Sequence, residues 1–456
     1  MDVEVKKLLL DTKKFADKTV EVKGWIRNNR SQKEFGFIDL NDGTAFESIQ
    51  IVYEDKILEN FKDVAKFNVG SAITVKGNLV MTPKMKQPFE IKAEKIILEG
   101  DSLEDYPIQP KRHSREFLRE NAHFRSRTNL FNAVFRVRSV VSFALHRFFQ
   151  EQNFIYLHSP LITASDAEGA GELFQVSTID SENPEKDFVN DFFGKKTNLT
   201  VTGQLQAEAF ALAFKKVYTF GPTFRAEKSN TTRHASEFWM IEPEVAFFDL
   251  EDNMDLAEKM VKFIIQDLFK SCPSELEFFN KFVEKGLIDK LKNVQNKTFK
   301  RITYKKALEI LKKHNDKFTI KAAMGNDLAT EHEKYLTKHF NGPVFVIDWP
   351  KDLKAFYMRL NDDNETVAAM DLLVPLAGEL IGGSQREERL DYLDKRMKEM
   401  NITDKDLWWY KDLRKYGGNK HSGYGLGLER MLMYVTGVDN IRDVIPFPRT
   451  PKQCEF

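Results

Sequence analysis

Cysteine is scarce: Cys272 and Cys454 are the only two in 456 residues. They lie far apart with no metal-ligand spacing, which excludes a disulfide framework and a zinc site and fits a reducing, cytoplasmic compartment. An excess of charge of one sign is also missing. Lys+Arg and Asp+Glu both number 69, so net charge points to no partner, and nucleic-acid binding has to come from a local patch. No apolar run approaches a membrane span. The start of the chain is acidic at Asp2 and holds only the short run Leu8–Leu10, so we expect no signal peptide. Present instead are 42% hydrophobic residues and 38 phenylalanines, enough for a large aromatic core in two or three domains.

The most informative stretch is 217–247. Two runs rich in Val, Phe, Tyr, Thr and Trp, Val217–Glu227 and Glu237–Phe247, flank the polar loop Lys228–Ser236, which predicts an antiparallel hairpin with a long tip. Arg225 and Glu227, two apart, are expected on one face, with Arg233 and His234 on the tip and Phe238 on the return. Arginines clamp phosphates, while a carboxylate and an aromatic ring hold a base. A solvated hairpin whose Arg and Glu pair with each other explains Arg225-x-Glu227 taken alone. The full string TFGPTFRAEKSNTTRHASEFWMIEPE resembles motif 2 of class II aminoacyl-tRNA synthetases, in the asparaginyl family.

Residues 1–100 read as five short strands, near Val20–Arg27, Phe35–Leu40, Phe46–Tyr53, Ala72–Val80 and Phe89–Leu98, with a helix-like insert at Asp55–Lys66. This pattern predicts an OB-fold barrel. Alternation leaves open whether Phe35 and Phe37 are core or an outward stacking platform for unpaired bases. GWIRNNRSQKEFGFIDLNDGTAFESIQIVY is similar to the anticodon-binding domain of class IIb synthetases. The resemblance implies that Trp25, Arg27, Phe35, Phe37 and Gln50 meet tRNA. Residues 101–128 are expected to be a linker and 129–456 the catalytic domain, an antiparallel sheet flanked by helices, with a lysine-rich helical insertion at about 273–340.

Residues 129–151 place Val134, Val137, Val141, Ala144 or Leu145, and Phe148 at helical spacing, a buried helix on packing grounds alone. With Tyr156–Pro160 it resembles motif 1, which implies a homodimer. The Gly-rich loop Thr163–Phe174 suits a lid; its Glu168 reads as merely solvated, or by resemblance as covering the amino acid. Thr202-Gly-Gln-Leu-Gln-Ala-Glu208 is expected to turn from strand to helix at Gly203. Here Thr202 and Gln206 depart from the family's more usual Ser and Asn. Ala207 stands where aspartyl enzymes carry lysine.

Asp371 and Glu379 could hold Mg²⁺ bridging phosphates or be paired surface acids. HSGYGLGLERM resembles motif 3, with Gly427 and Arg430 on ATP. The resemblance implies formation of asparaginyl-adenylate from asparagine and ATP, then transfer to tRNA. In that picture Arg225 holds the substrate carboxylate and α-phosphate, Glu227 accepts from adenine, and Phe238 and Arg430 sandwich the ring. Arg233, His234 and Mg²⁺ on Asp371 and Glu379 draw in the outer phosphates. Gln204, Ala207, Glu242 and Arg386 surround the amino acid; Glu242 either accepts from the side-chain amide or binds the α-amino group with Gln204 and Glu168. Alternatives are an aspartyl-tRNA synthetase, a paralogue amidating free aspartate, and a non-catalytic RNA-binding protein.

Overall fold

A computed structural model describes residues 2–85, 87–165, 173–179, 187–229, 231–375, 377–402, 405 and 407–456. Two compact units divide the chain, Met1–Ala133 and Val134–Phe456.

In the first unit, β1 (Thr19–Ser31), β2 (Phe35–Asn41), β3 (Ile49–Glu54), β4 (Ala72–Met81) and β5 (Phe89–Gly100) close into a barrel in the order β1-β2-β3-β5-β4. Alternate residues fill it: Val20, Val22, Ile38, Leu40, Ile49, Ile51, Val75 and Ile91 are buried. Inward aliphatic side chains at a period of two force their neighbours outward. The expected insert between β3 and β4 shrinks to one short helix, Phe61–Val64, preceded by turns.

In the second unit an eight-stranded sheet runs β12-β13-β14-β15-β16-β11-β10-β6, and a small sheet runs β7-β9-β8. The strands are β6 (Ile155–Leu157), β7 (Ile162–Thr163), β8 (Gln175–Val176), β9 (Thr197–Leu199), β10 (Lys216–Phe224), β11 (Glu237–Ala246), β12 (Lys300–Thr303), β13 (Val344–Pro350), β14 (Thr366–Val374), β15 (Gly378–Gln385) and β16 (His421–Gly427). All neighbours in the large sheet are antiparallel except the two edge pairs, β6 with β10 and β12 with β13. The helix Leu250–Ser271 starts on a capping box between Asp249 and Asp252 and buries Met254, Met260, Ile264 and Leu268. The helix Asn129–Glu151 buries Val134, Val137, Val141, Ala144, Leu145 and Phe148. Residues 273–340 are not simply peripheral: they supply β12 to the main sheet, because Lys300–Thr303 pairs in parallel with Val344–Ile347.

Candidate active site

The site grows from the β10–β11 hairpin, whose pairing runs from Lys216↔Val245 to Phe224↔Glu237. Successive side chains of a strand alternate faces, and Phe238, Met240, Glu242 and Glu244 all line one cavity of about 310 Å³. β10 ends at Phe224, three residues earlier than needed to put Arg225 and Glu227 on one strand face. Both enter the loop instead. Hydroxyl groups replace the ladder there, Thr231 Oγ1 accepting from the Arg233 amide at 3.2 Å and Ser229 Oγ meeting His234 Nδ1 at 3.2 Å. The Arg225 amide donates to the Ser236 carbonyl at 3.0 Å, which holds this side of the loop at the sheet. Arg225, Glu227, Arg233 and His234 all line the cavity, and the Arg225 guanidinium lies 5.5 Å from the Phe238 ring centroid.

The floor is glycine-rich because side chains from β11 occupy the space above it. Gly423 faces Glu244 across the ladder, where a Cβ would overlap the Glu244 carboxylate; at Gly425 it would meet Met240 Cε at 2.7 Å. β16 leads into the helix Leu428–Thr436, with Arg430 in its first turn. Arg430 Nη1 is 3.1 Å from Glu379 Oε2. Its neighbour Glu429 is buried, accepting from the Trp239 amide at 3.0 Å and pairing with Arg138 at 2.8 Å. The helix Asn129–Glu151 thereby fixes the helix that carries Arg430.

Asp371 and Glu379 flank Gly382 at the cavity wall. Lys354 Nζ donates to Asp371 at 2.6 Å. Burial and the Glu379 charge push the Asp371 carboxyl up to about 6 against the pull of Lys354. For Glu379 burial acts upward too, but Arg430 and Lys354 bring it below its ordinary value.

At the other end, Glu242 is buried under donors from Thr202 Oγ1, the Gly203 amide (2.8 Å) and Thr219 Oγ1 (3.1 Å), with burial still pushing its carboxyl up. Arg386 forms a two-point fork with Glu244 and donates through Nη1 to Ser384 Oγ at 2.8 Å. Gln204 opens the helix Gln204–Phe214 at Gly203, as its sequence predicts, and lines the cavity. Ala207 does not. It is fully buried in a small apolar cluster with Ala211 and Val217. Glu168 lies outside the described residues.

Two cavity-edge residues escaped the sequence reading. Lys354 follows the short turn Lys351–Leu353 and reads in sequence as one more surface lysine. Glu333 comes from the helix Thr330–His339 of the supposed insertion, 3.9 Å from Arg233 Nη1, and accepts from the Glu379 amide at 3.3 Å. Burial and the Glu379 charge push its carboxyl up to about 7. Neither position carried a local signal, because only the tertiary fold brings these charges to the others.

In the barrel, Phe35 and Phe37 resolve outward, with Gly36 and Ile38 inward. Their ring centroids are 5.5 Å apart. Gln50 lies on the same face of β3, since Phe37 pairs with Val52 and Asp39 with Gln50. Trp25 is 45% exposed, and Arg27 falls at a bulge between Ile26 and Asn28.

A phosphate-sized cluster of arginines over an antiparallel sheet, with a glycine-rich strand leading into an arginine-bearing helix, is the arrangement of a class II synthetase catalytic unit. Residues 114–451 match the family described as tRNA synthetases class II (D, K and N), and residues 20–99 the OB-fold nucleic acid binding domain. Over 461 residues the chain is 60% identical to the asparagine–tRNA ligase of Alkaliphilus metalliredigens, covering 100% of this chain and 99% of that one. It is 61% identical to the asparagine–tRNA ligase of Clostridium acetobutylicum, covering 100% of both. The structure superimposes on the asparaginyl-tRNA synthetase of Pyrococcus horikoshii, crystallised with asparaginyl-adenylate, with a TM-score of 0.89 at 31% identity, covering 100% of each chain. The chain belongs to the class II tRNA synthetases, in the family of the asparagine–tRNA ligases.

Proposed function

We propose that the protein attaches asparagine to its cognate tRNA in two steps through an asparaginyl-adenylate. The observation that carries this reading is the single cavity in which Arg225, Arg233, Phe238 and Arg430 face Gln204, Glu242 and Arg386. In the first step the asparagine carboxylate attacks the α-phosphorus of ATP. A C–O–P bond forms, the bond to the β-phosphate oxygen breaks, and pyrophosphate leaves. The nucleophile is already ionised, so the residues act by positioning and charge stabilisation. Arg225 holds the carboxylate and the α-phosphate, Arg233 and His234 take the outer phosphates, Phe238 and Arg430 stack the adenine, and Glu227 accepts from its amino group. In the second step a hydroxyl of the tRNA's terminal adenosine attacks the carbonyl, and AMP leaves.

Asp371 and Glu379 would hold Mg²⁺. Among the described residues no group of three or more metal-ligating side chains occurs. Two cavity carboxylates nevertheless suit an ion that takes few protein ligands and completes its shell with phosphate and water. When bound, it supplies neutralisation of the outer phosphates, while Lys354 and Arg430 keep the two carboxylates charge-balanced.

We assign 1–100 to anticodon binding, 101–128 to a linker and 129–456 to catalysis. Phe35 and Phe37 serve as a stacking platform beside Gln50. A homodimer is favoured by apolar side chains left in solvent around motif 1: Phe143 is 73% exposed, Ile155 42% and Leu161 41%. No helix among the described residues is long and apolar enough to cross a membrane, and a cytoplasmic setting suits two cysteines that are not joined in a disulfide. ATP–pyrophosphate exchange with asparagine and with aspartate, followed by tRNA charging, tests the reading. Exchange is expected with asparagine; equal exchange with aspartate would overturn it.

A further inference from the structure

Behind Arg386, away from the cavity, lies a carboxylate that the proposed chemistry does not use. Glu208, on the helix Gln204–Phe214, is fully buried. It accepts from Gln204 Nε2 at 3.0 Å, Tyr410 Oη at 2.7 Å, Arg414 Nη2 at 2.8 Å and His421 Nε2 at 2.9 Å. Its Oε1 is 3.9 Å from Arg386 Nε. Tyr410 and Arg414 come from the helix Trp408–Lys415 and His421 from β16, so two elements besides its own helix hold this one carboxylate in place.

Arg386 therefore faces two acids. Glu244 takes Nε and Nη2 in its fork, and Ser384 takes one hydrogen of Nη1. An arginine has five N–H groups, so one on each Nη remains to donate to a ligand. Two carboxylates beside one guanidinium split in their titration. Burial works against ionisation of Glu208, but Arg414, His421 and Arg386 outweigh it and hold its carboxyl well below the ordinary range. Glu244 is pushed up by burial, against Arg386 and with the repulsion of Glu208. Of the two acids, Glu208 is the one whose charge is secured.

We infer that Glu208 is a specificity-determining positioning residue: acting through Arg386, it offsets the guanidinium charge, leaving hydrogen bonds for a side-chain amide but too little attraction for a carboxylate. Asparagine and aspartate are nearly isosteric, so charge rather than shape has to separate them. The inference rests on the asparagine-activating reading above.

The test is ATP–pyrophosphate exchange with the full-length protein, comparing kcat/KM for aspartate and asparagine. Glu208→Gln keeps the shape and an acceptor for Tyr410 and Arg414. The aspartate-to-asparagine ratio is expected to rise about tenfold or more, chiefly through a lower KM for aspartate. Glu208→Asp keeps the charge, and its ratio should stay within about threefold of wild type even where absolute activity falls. A purely structural role would lower both activities together, and an unchanged ratio in Glu208→Gln overturns the inference. Should Glu208→Gln be insoluble, Glu208→Gln with Arg414→Met leaves no buried charge alone. A smaller rise in the same direction is expected there, because Arg414's positive charge is lost together with the negative charge that Glu208 places 3.9 Å from Arg386 Nε, and an unchanged ratio again overturns the inference. A wild-type enzyme that activates aspartate as well as asparagine would instead sink the parent reading.

Discussion

At the proposed nucleotide end of the cavity, Arg225, Arg233 and His234 stand on a loop where the Thr231 hydroxyl accepts from the Arg233 amide and the Ser229 hydroxyl meets the His234 ring, and His234 is solvent-exposed. At the proposed amino-acid end, Glu208, Glu242 and Glu244 are buried on a helix and a strand and Arg386 just past the end of β15, each engaged with protein partners. The difference follows from what each end must recognise. Phosphates bring their own charge and attract cations from water, so the loop needs only to aim them. A neutral amide brings none, and telling it from a carboxylate requires a pocket whose charges are already balanced and cannot rearrange. Stability and catalysis should therefore separate at one end and coincide at the other.

Arg225→Ala is the sharpest test of that separation. Adenylate formation, followed by pyrophosphate exchange, should fall about a thousandfold, while thermal unfolding barely shifts because the loop outside the ladder tolerates the truncation. Near-normal exchange would remove Arg225 from the proposed role. The same truncation at Arg386 should abolish asparagine activation and also cost about 3–5 kcal/mol of stability, since it leaves the Glu244 carboxylate buried without its fork. Urea unfolding of the two variants side by side measures the contrast. Equal stability would mean that the two ends are not built differently.

How much of this the sequence discloses depends on whether a residue's environment is local. The β11 face was legible, because Phe238, Glu242 and the hairpin signal sit in one alternating run. Glu333 and Lys354 were not, and Glu208, although it stands four residues after Gln204, gave no sign of its role: the meaning of each comes from tertiary partners such as Arg233, Asp371 and Arg414. The exact end of β10 was misplaced because threonine and arginine at 223–227 fit a strand as well as a loop, and only the hydroxyl bonds of the tip decide. Ala207 illustrates the converse. The resemblance places it beside the amino acid, where aspartyl enzymes carry lysine, yet in the fold it packs against Ala211 and Val217 rather than lining the cavity.

The barrel offers a third setting, an aromatic pair facing outward with Arg30 directly across the ladder from Phe37. Phe37→Ala should weaken tRNA binding by about 1–3 kcal/mol, the worth of one base stacked on an aromatic ring. Pyrophosphate exchange without tRNA should be unchanged. A loss in exchange as large as the loss in charging would show that the substitution acts on folding rather than on the platform.

The smallest effect separates a hydroxyl from the residue that carries it. Thr202 Oγ1 donates to the Glu242 carboxylate and accepts from the Gln204 amide at 3.0 Å, so it joins a cavity acid to the first turn of the helix bearing Glu208. Thr202→Val keeps the volume but removes both bonds, leaving buried Glu242 short of a donor at a cost of about 1–3 kcal/mol. This should appear as a raised KM for asparagine with the KM for ATP little changed. Thr202→Ser, the residue more usual in the family, keeps the hydroxyl and loses only a methyl group, so it should stay within about 0.5 kcal/mol of wild type. If serine were as damaging as valine, the methyl packing and not the hydrogen bond would be what orders this end of the cavity.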